Sequence, residues 1–459
     1  MNTIILLFAA TVAVNFDSEV RPLRPELHSS GFGPRVTSCK ADAIETLKTM
    51  GFKAARTHDW ALVNKGERVC DWVHMFPLQH LDAKDPKNYY FDATDHLLRR
   101  TREEAGLEVF FRLGASIEHS GDVHFNALVP QDLDKAVEVF AGTIRHYNRG
   151  WGNGFKWGIR YWEIWNEPDG ANMWCYNGPD ATNDVKRNAA YLRLFTESLR
   201  RLKGEFPEIK VGGPACWFLD EKYLRMLFDG CKAAGVKPDF VSWHNYENDV
   251  DKVIGDVDRA RRLCDEYGLT DCELIINEWH YIGDYGWKGM HDKSPEMRKA
   301  KWKSPCGQVG IESSCYNLAL LSRFQTSALD QAYFYGYNKP SGLYGYCSET
   351  GEKWKLYYGL CIFGDFLKSY GTICASQSDD RTVTTLAAKG AKGKGLLVTA
   401  YRSGAKRIEV GGFAEPSKCR VFVHDNARDR TEIPVNVWEG KIILDRIDGL
   451  SAAFWIQGE

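Results

Sequence analysis

A chain of 459 residues is long enough for roughly two or three domains. Its 44% hydrophobic and 26% charged residues are those of an ordinary globular protein, which argues against a disordered or fibrous chain. The formal net charge of −2 supplies no basic field, so no nucleic-acid partner is expected.

The chain opens on an apolar run at residues 4–14 with the length of a signal-peptide core. Thr11, Val12 and Ala13 offer a small-residue cleavage site, although no Lys or Arg precedes the run. Export to the periplasm or cell exterior is the expectation; the alternative is a cytoplasmic protein in which at least residues 11–16 are a β-strand. The run is too short to span a bilayer, so no membrane partner is expected.

After an opening strand near residues 30–33, strand-like runs recur at residues 52–56, 107–113, 159–164, 209–213, 240–243, 274–276 and 331–335. Amphipathic stretches with apolar residues at helical spacing lie between them, at residues 132–147, 188–204, 220–234, 250–267 and 310–327. Eight strands alternating with helices predict an α/β fold, a (β/α)8 TIM barrel over residues 26–370. From residue 371 to 459 the pattern becomes short alternating runs, at residues 382–386, 395–401, 407–410, 420–423, 442–444 and 452–456, separated by Gly, Asp and Lys clusters. These predict a small C-terminal β-sandwich, to which the N-terminal segment, residues 1–25, adds a strand.

Two acidic segments carry the chemistry. YWEIWNEPDG, around Glu167, and ELIINEWHY, around Glu278, each read as an apolar strand that stops at a carboxylate. Pro168 has no N–H for a ladder and biases Glu167 to extended geometry at the strand's carboxyl end. The two acids are 111 residues apart, room for three βα units of roughly 30 to 40 residues each, so they end strands four and seven on the face where such barrels build their sites. A pair of carboxylates across a cleft is the minimum equipment for retaining hydrolysis of a glycosidic bond.

The stretches PLRPELHSSGFGP, ARTHDW, EIWNEPDGANMW, VSWHNY and IINEWHY resemble the clan A glycoside hydrolases, most closely glycoside hydrolase family 39, the family of β-xylosidases and α-L-iduronidases. The resemblance implies Glu167 as general acid/base, Glu278 as nucleophile and Asn166 as the residue that holds the sugar 2-hydroxyl. The acid must stay protonated near neutrality while the nucleophile stays ionised, and Arg56, ending strand two, is the candidate cation for the nucleophile. His58, His119 and His244 each follow a predicted strand and are candidate sugar-pocket residues, as are Trp279 and Tyr246, which either hydrogen-bonds the nucleophile or caps the barrel mouth. At strand eight, Tyr335 and Tyr337 stand where clan members often have Trp.

Trp60, Trp165, Trp174, Trp243, Trp279 and Trp287 crowd these loops, and indoles stack on the apolar faces of sugars; about half are expected to be core residues. The loop at residues 283–308 has six positive charges, among them Lys288, Lys299 and Lys301, against three negative ones, a surplus suited to uronate or sulfate groups or simply to a solvated surface. Thirteen cysteines include no C-x-x-C pair, which gives zinc little support; Cys264 and Cys272 either form a disulfide after export or pack as buried thiols. The expected partner is an oligosaccharide or polysaccharide, with no cofactor, because two carboxylates suffice for the chemistry. An endo-acting polysaccharide hydrolase, a uronide-specific glycosidase and an inactive sugar-binding barrel are the alternatives.

Overall fold

The computed structural model describes residues 9–34, 43–57, 60–61, 68–115, 127–171, 173–292, 294–297, 304–336, 345–347, 352–445 and 449–459. Eight parallel strands close into a barrel in chain order: Ser29–Ser30, Ala54–Arg56, Glu108–Leu113, Tyr161–Ile164, Lys210–Cys216, Phe240–Glu247, Glu273–Tyr281 and Gln331–Phe334. The predicted barrel is present, and the segments bearing the two acids are its fourth and seventh strands. Several of its helices begin where short polar side chains can satisfy the free N–H groups of a first turn. Asp132 accepts from Lys135 N at 2.9 Å, Asn183 from Lys186 N at 3.0 Å and Asp220 from Tyr223 N at 3.0 Å. Gly150 and Gly235, with φ of 76° and 68°, take the left-handed position that ends Leu133–Arg149 and Glu221–Ala234.

Alternation along the strands sorts the barrel interior into layers. Ala54, Phe110, Phe240, Ile275 and Tyr333 pack as an apolar plug, with Tyr161 against it. Two residues further along their strands stand Arg56, Arg112, Glu163, Ser242 and Asn277, all buried, so a polar layer lies directly on the apolar one. The period of two that builds a strand thus also fixes how far above the plug the chemistry begins.

The second unit is one continuous ten-stranded sheet rather than two separate sheets. It curls so that Val12, Val398, Ile408, Val421, Ile442 and Ile456 share a single core, which is how a sandwich-like interior arises from one sheet. Leu397 and Trp455, adjacent in sequence to Leu396 and Ile456, point the opposite way and join the barrel's core. The strand Ala9–Pro22 lies inside this sheet, antiparallel to Thr372–Ser378 and parallel to Arg407–Gly411. Thr11, Val12 and Ala13 are therefore sheet residues here, with Val12 fully buried.

Candidate active site

Glu278 sits within the seventh strand, and a bulge decides where it points. The pairing with Phe240–Glu247 shifts register between Ile276 and Glu278. Ile275 and Asn277 face inward, so strict alternation would send Glu278 outward; the extra residue flips the parity and turns it into the barrel mouth. There Arg56 Nη1 donates to Glu278 Oε1 at 2.8 Å, and the Tyr246 hydroxyl donates to Oε2 at 2.7 Å. Both donors favour the ionised carboxylate, the state a nucleophile needs.

Arg56 is fully buried and serves two acids. Its Nε donates to Glu163 Oε2 at 2.7 Å and its Nη2 to Asn166 Oδ1 at 2.8 Å. Burial alone would lower its pKa, but the charges of Glu163 and Glu278 outweigh burial and raise it, so the guanidinium stays charged. Glu163 in turn accepts from Ser242 Oγ at 2.6 Å and Asn277 Nδ2 at 2.8 Å. A buried charge pair is costly unless its remaining lone pairs are satisfied, and here they are.

Glu167 is held differently. Its strand ends at Ile164, and Trp165 and Glu167 adopt φ of 71° and 49°. The extended geometry expected before Pro168 is therefore not what the chain adopts. Two non-glycine residues with positive φ in one short turn are strained, and the strain is held by Trp165 N donating to Leu113 O at 2.6 Å and Glu167 N to Ala215 O at 3.0 Å. The turn lays Asn166 and Glu167 over the barrel mouth together. His244 Nδ1 lies 2.7 Å from Glu167 Oε1 and 3.4 Å from Glu278 Oε2, so one imidazole lies against both acids.

One oxygen from each of Glu167 and Glu278 and a ring nitrogen of His244 lie within 4.8 Å of one another. That is also the spacing of a metal site, but a cation there would face the Arg56 guanidinium already bonded to Glu278. Beside them, burial first and then the charge of Glu167 push the Asp169 carboxyl up to about 7, against the pull of the Trp217 N–H, which it accepts at 3.0 Å.

Glu167, Glu278, Arg56, Asn166, His244 and Tyr246 thus converge, as expected. Trp279 does not: it is buried against Phe324 and Phe334, with ring centroids 5.8 and 5.3 Å away. Adjacent residues of a strand face opposite sides, so once Glu278 points into the mouth, Trp279 must point to the helix layer. Trp165, Trp174 and Trp243 are likewise core residues, whereas Trp287 is exposed. Tyr335 packs at the mouth, its ring centroid 6.0 Å from that of Tyr246. His58, His119, Tyr337 and most of the basic residues of the loop at 283–308, including Lys299 and Lys301, lie outside the described residues. Cys264 and Cys272 are buried free thiols, and Cys272 Sγ donates to Glu273 O at 3.9 Å.

Sequence reasoning missed Glu163, Asp169 and Trp217. A carboxylate between Trp162 and Ile164 in a strand buried on both faces was the available signal for Glu163, since such a charge must have a partner. Asp169 and Trp217 lie on loops whose meeting no local pattern announces.

Comparison with known proteins agrees with this architecture. The model of glycosyl hydrolases family 39 matches residues 10–256, more than half of the chain; the match includes Glu167 and stops short of Glu278. A β-xylosidase of Geobacillus stearothermophilus is 28% identical over 123 residues, covering 26% of this chain and 22% of that protein. A β-xylosidase of Caldicellulosiruptor saccharolyticus is 26% identical over 214 residues, covering 44% of this chain and 38% of that protein. The chain thus spans well under half the length of either xylosidase. A glucosidase from Croceicoccus marinus superposes with a TM-score of 0.73 at 18% identity, covering 98% of this chain and 99% of that one, a likeness of fold.

Proposed function

The chain belongs to glycosyl hydrolases family 39, and we propose that it is a retaining, β-xylosidase-like exo-glycosidase that works by double displacement. The observation that carries this reading is the pair of carboxylates at the barrel mouth, with oxygens of Glu167 and Glu278 within 4.8 Å of each other through His244. Retaining enzymes hold their two carboxyl groups roughly 5 to 5.5 Å apart, whereas inverting enzymes need roughly 6.5 to 9.5 Å to admit a water.

In this scheme Glu278, kept ionised by Arg56 and Tyr246, attacks the anomeric carbon as Glu167 gives its proton to the departing oxygen. The glycosyl–Glu278 ester then forms, and Glu167, now a base, takes a proton from the water that cleaves it. Asn166, fixed by Arg56, is positioned for the sugar 2-hydroxyl, where a hydrogen bond strengthens as the oxocarbenium-like transition state develops.

A nitrophenyl glycoside panel beginning with the β-xyloside tests activity, and proton NMR of the first-formed product tests the mechanism. The expected product keeps the substrate's anomeric configuration. An inverted product would remove Glu278 as nucleophile, and inertness across the panel would leave a sugar-binding barrel.

A further inference from the structure

A cavity of about 620 Å³ adjoins the carboxylates between the loops that follow the fifth and seventh strands. Its floor includes His244, which touches Glu167, and Tyr246, which touches Glu278. Trp217 and Phe218 form one wall and Trp287 another. These three are 49%, 59% and 45% exposed, while Trp165, Trp174, Trp243 and Trp279 are buried. Apolar surface left in water forgoes roughly 25 cal/mol per Å², so three large rings converging on one hollow beside a reaction centre call for an apolar face to cover them.

The rings are also held in place. The Trp287 ring meets that of Tyr246 edge-on, with centroids 5.2 Å apart. Trp217 N donates to both oxygens of Asp169, at 3.2 and 3.0 Å, and Asp169 is two residues after Glu167. The aromatic wall is thereby tied to the segment that carries Glu167. The charged residues of the far wall neutralise one another: Lys252 pairs with Glu247, and Arg259 with Asp256 at 2.6 Å.

We propose that this cavity is the leaving-group subsite, that Trp217, Phe218 and Trp287 set its specificity, and that it takes a neutral group with a flat apolar face. A second pyranose ring and an aryl aglycone share that chemistry. The assignment rests on the glycosidase reading of Glu167 and Glu278. Stacking on such rings contributes about 0.5–1.5 kcal/mol beyond the area covered, or roughly three- to tenfold in rate or affinity.

The test compares Trp217→Ala and, as a variant whose half-exposed side chain supports no core, Phe218→Ala, on three substrates of one sugar: the glycosyl fluoride, the nitrophenyl glycoside and the disaccharide. Fluoride departs without touching any wall. The expected result is a loss of kcat/KM on the disaccharide or the aryl glycoside about tenfold greater than the loss on the fluoride, in both variants. A larger loss on the disaccharide assigns the site to a sugar and a larger loss on the aryl substrate to an aglycone; each supports the subsite. Equal losses on all three substrates, or none, would overturn it. A wild-type protein inert on every fluoride would instead bring down the hydrolase reading itself, and the subsite with it.

Discussion

The two acids stand on backbones of opposite character. Glu278 lies within a nine-residue strand laddered on both sides, and both of its oxygens accept from protein donors. Glu167 lies three residues beyond a four-residue strand, on a turn with positive φ, and faces a histidine and a carboxyl that titrates near neutrality. The contrast matches the two jobs proposed for them. A nucleophile must hold one position and one charge through the reaction, whereas an acid that becomes a base must change protonation state twice per turnover.

Removing the fixed acid should have the largest effect. Glu278→Ala is expected to lower kcat by roughly 10⁴-fold or more, with azide restoring part of it by taking the vacated position. Steady-state assays with and without azide decide this, and near-normal turnover would take Glu278 out of the mechanism. Glu167→Ala comes next. It should cost about 10²–10⁴-fold on substrates with poor leaving groups and far less on activated aryl glycosides, which depart without a proton. A loss independent of leaving-group acidity would contradict the acid role.

A sharper probe leaves both acids in place. Glu163→Gln keeps the shape but removes one of the two charges facing Arg56. The freed guanidinium then acts on Glu278 alone, so the acidic limb of the kcat/KM profile should move to lower pH. The fold should also lose about 3 kcal/mol, as expected when a buried pair is broken from one side. Denaturant titration and pH–rate profiles read the two effects separately; an unmoved limb would mean that Glu163 only supports Arg56 sterically.

The smallest effect concerns Asp169, whose carboxyl is raised from 3.8 to about 7. Above that pH its charge opposes ionisation of Glu167, so Asp169→Asn should let Glu167 lose its proton earlier and move the basic limb down, by under about one unit. The linkage sign follows from the same shift. Between pH 3.8 and 7 the folded state binds the extra proton, so the contribution of Asp169 to stability falls as pH rises through that window, and the variant should flatten the slope. A basic limb that moves up would contradict the assignment.

Much of this was legible from the sequence because strand and helix periods are local signals. The eight strands and the strand-end positions of Arg56, Glu167, Glu278 and His244 followed from them, whereas the roles expected of Glu167, Glu278 and Asn166 came from the family resemblance. The expectation for Trp279 failed against the same period-of-two rule, since it is the immediate neighbour of an inward Glu278. The bulge at Asn277 and the left-handed turn at Glu167 were not legible, because both are imposed by neighbouring strands. Thr431–Ile433 and Asn436–Trp438 escaped notice because they are short edge strands with little buried surface and hence little pattern.

The strand Ala9–Pro22 has a consequence for the order of events during synthesis. Its partners are made long after it: Thr11 N donates to an Asp379 oxygen 368 positions away. At about 5–20 residues per second, the strand waits roughly twenty to seventy seconds on the ribosome for a sheet to join. Throughout that interval an apolar β-segment with two unpaired edges is available to any chaperone or neighbouring nascent chain. The barrel can form in the meantime, but the second core cannot close until residues 372–458 are made, so translation rate and chaperone supply should govern the yield of this protein more than that of a barrel whose first strand pairs locally.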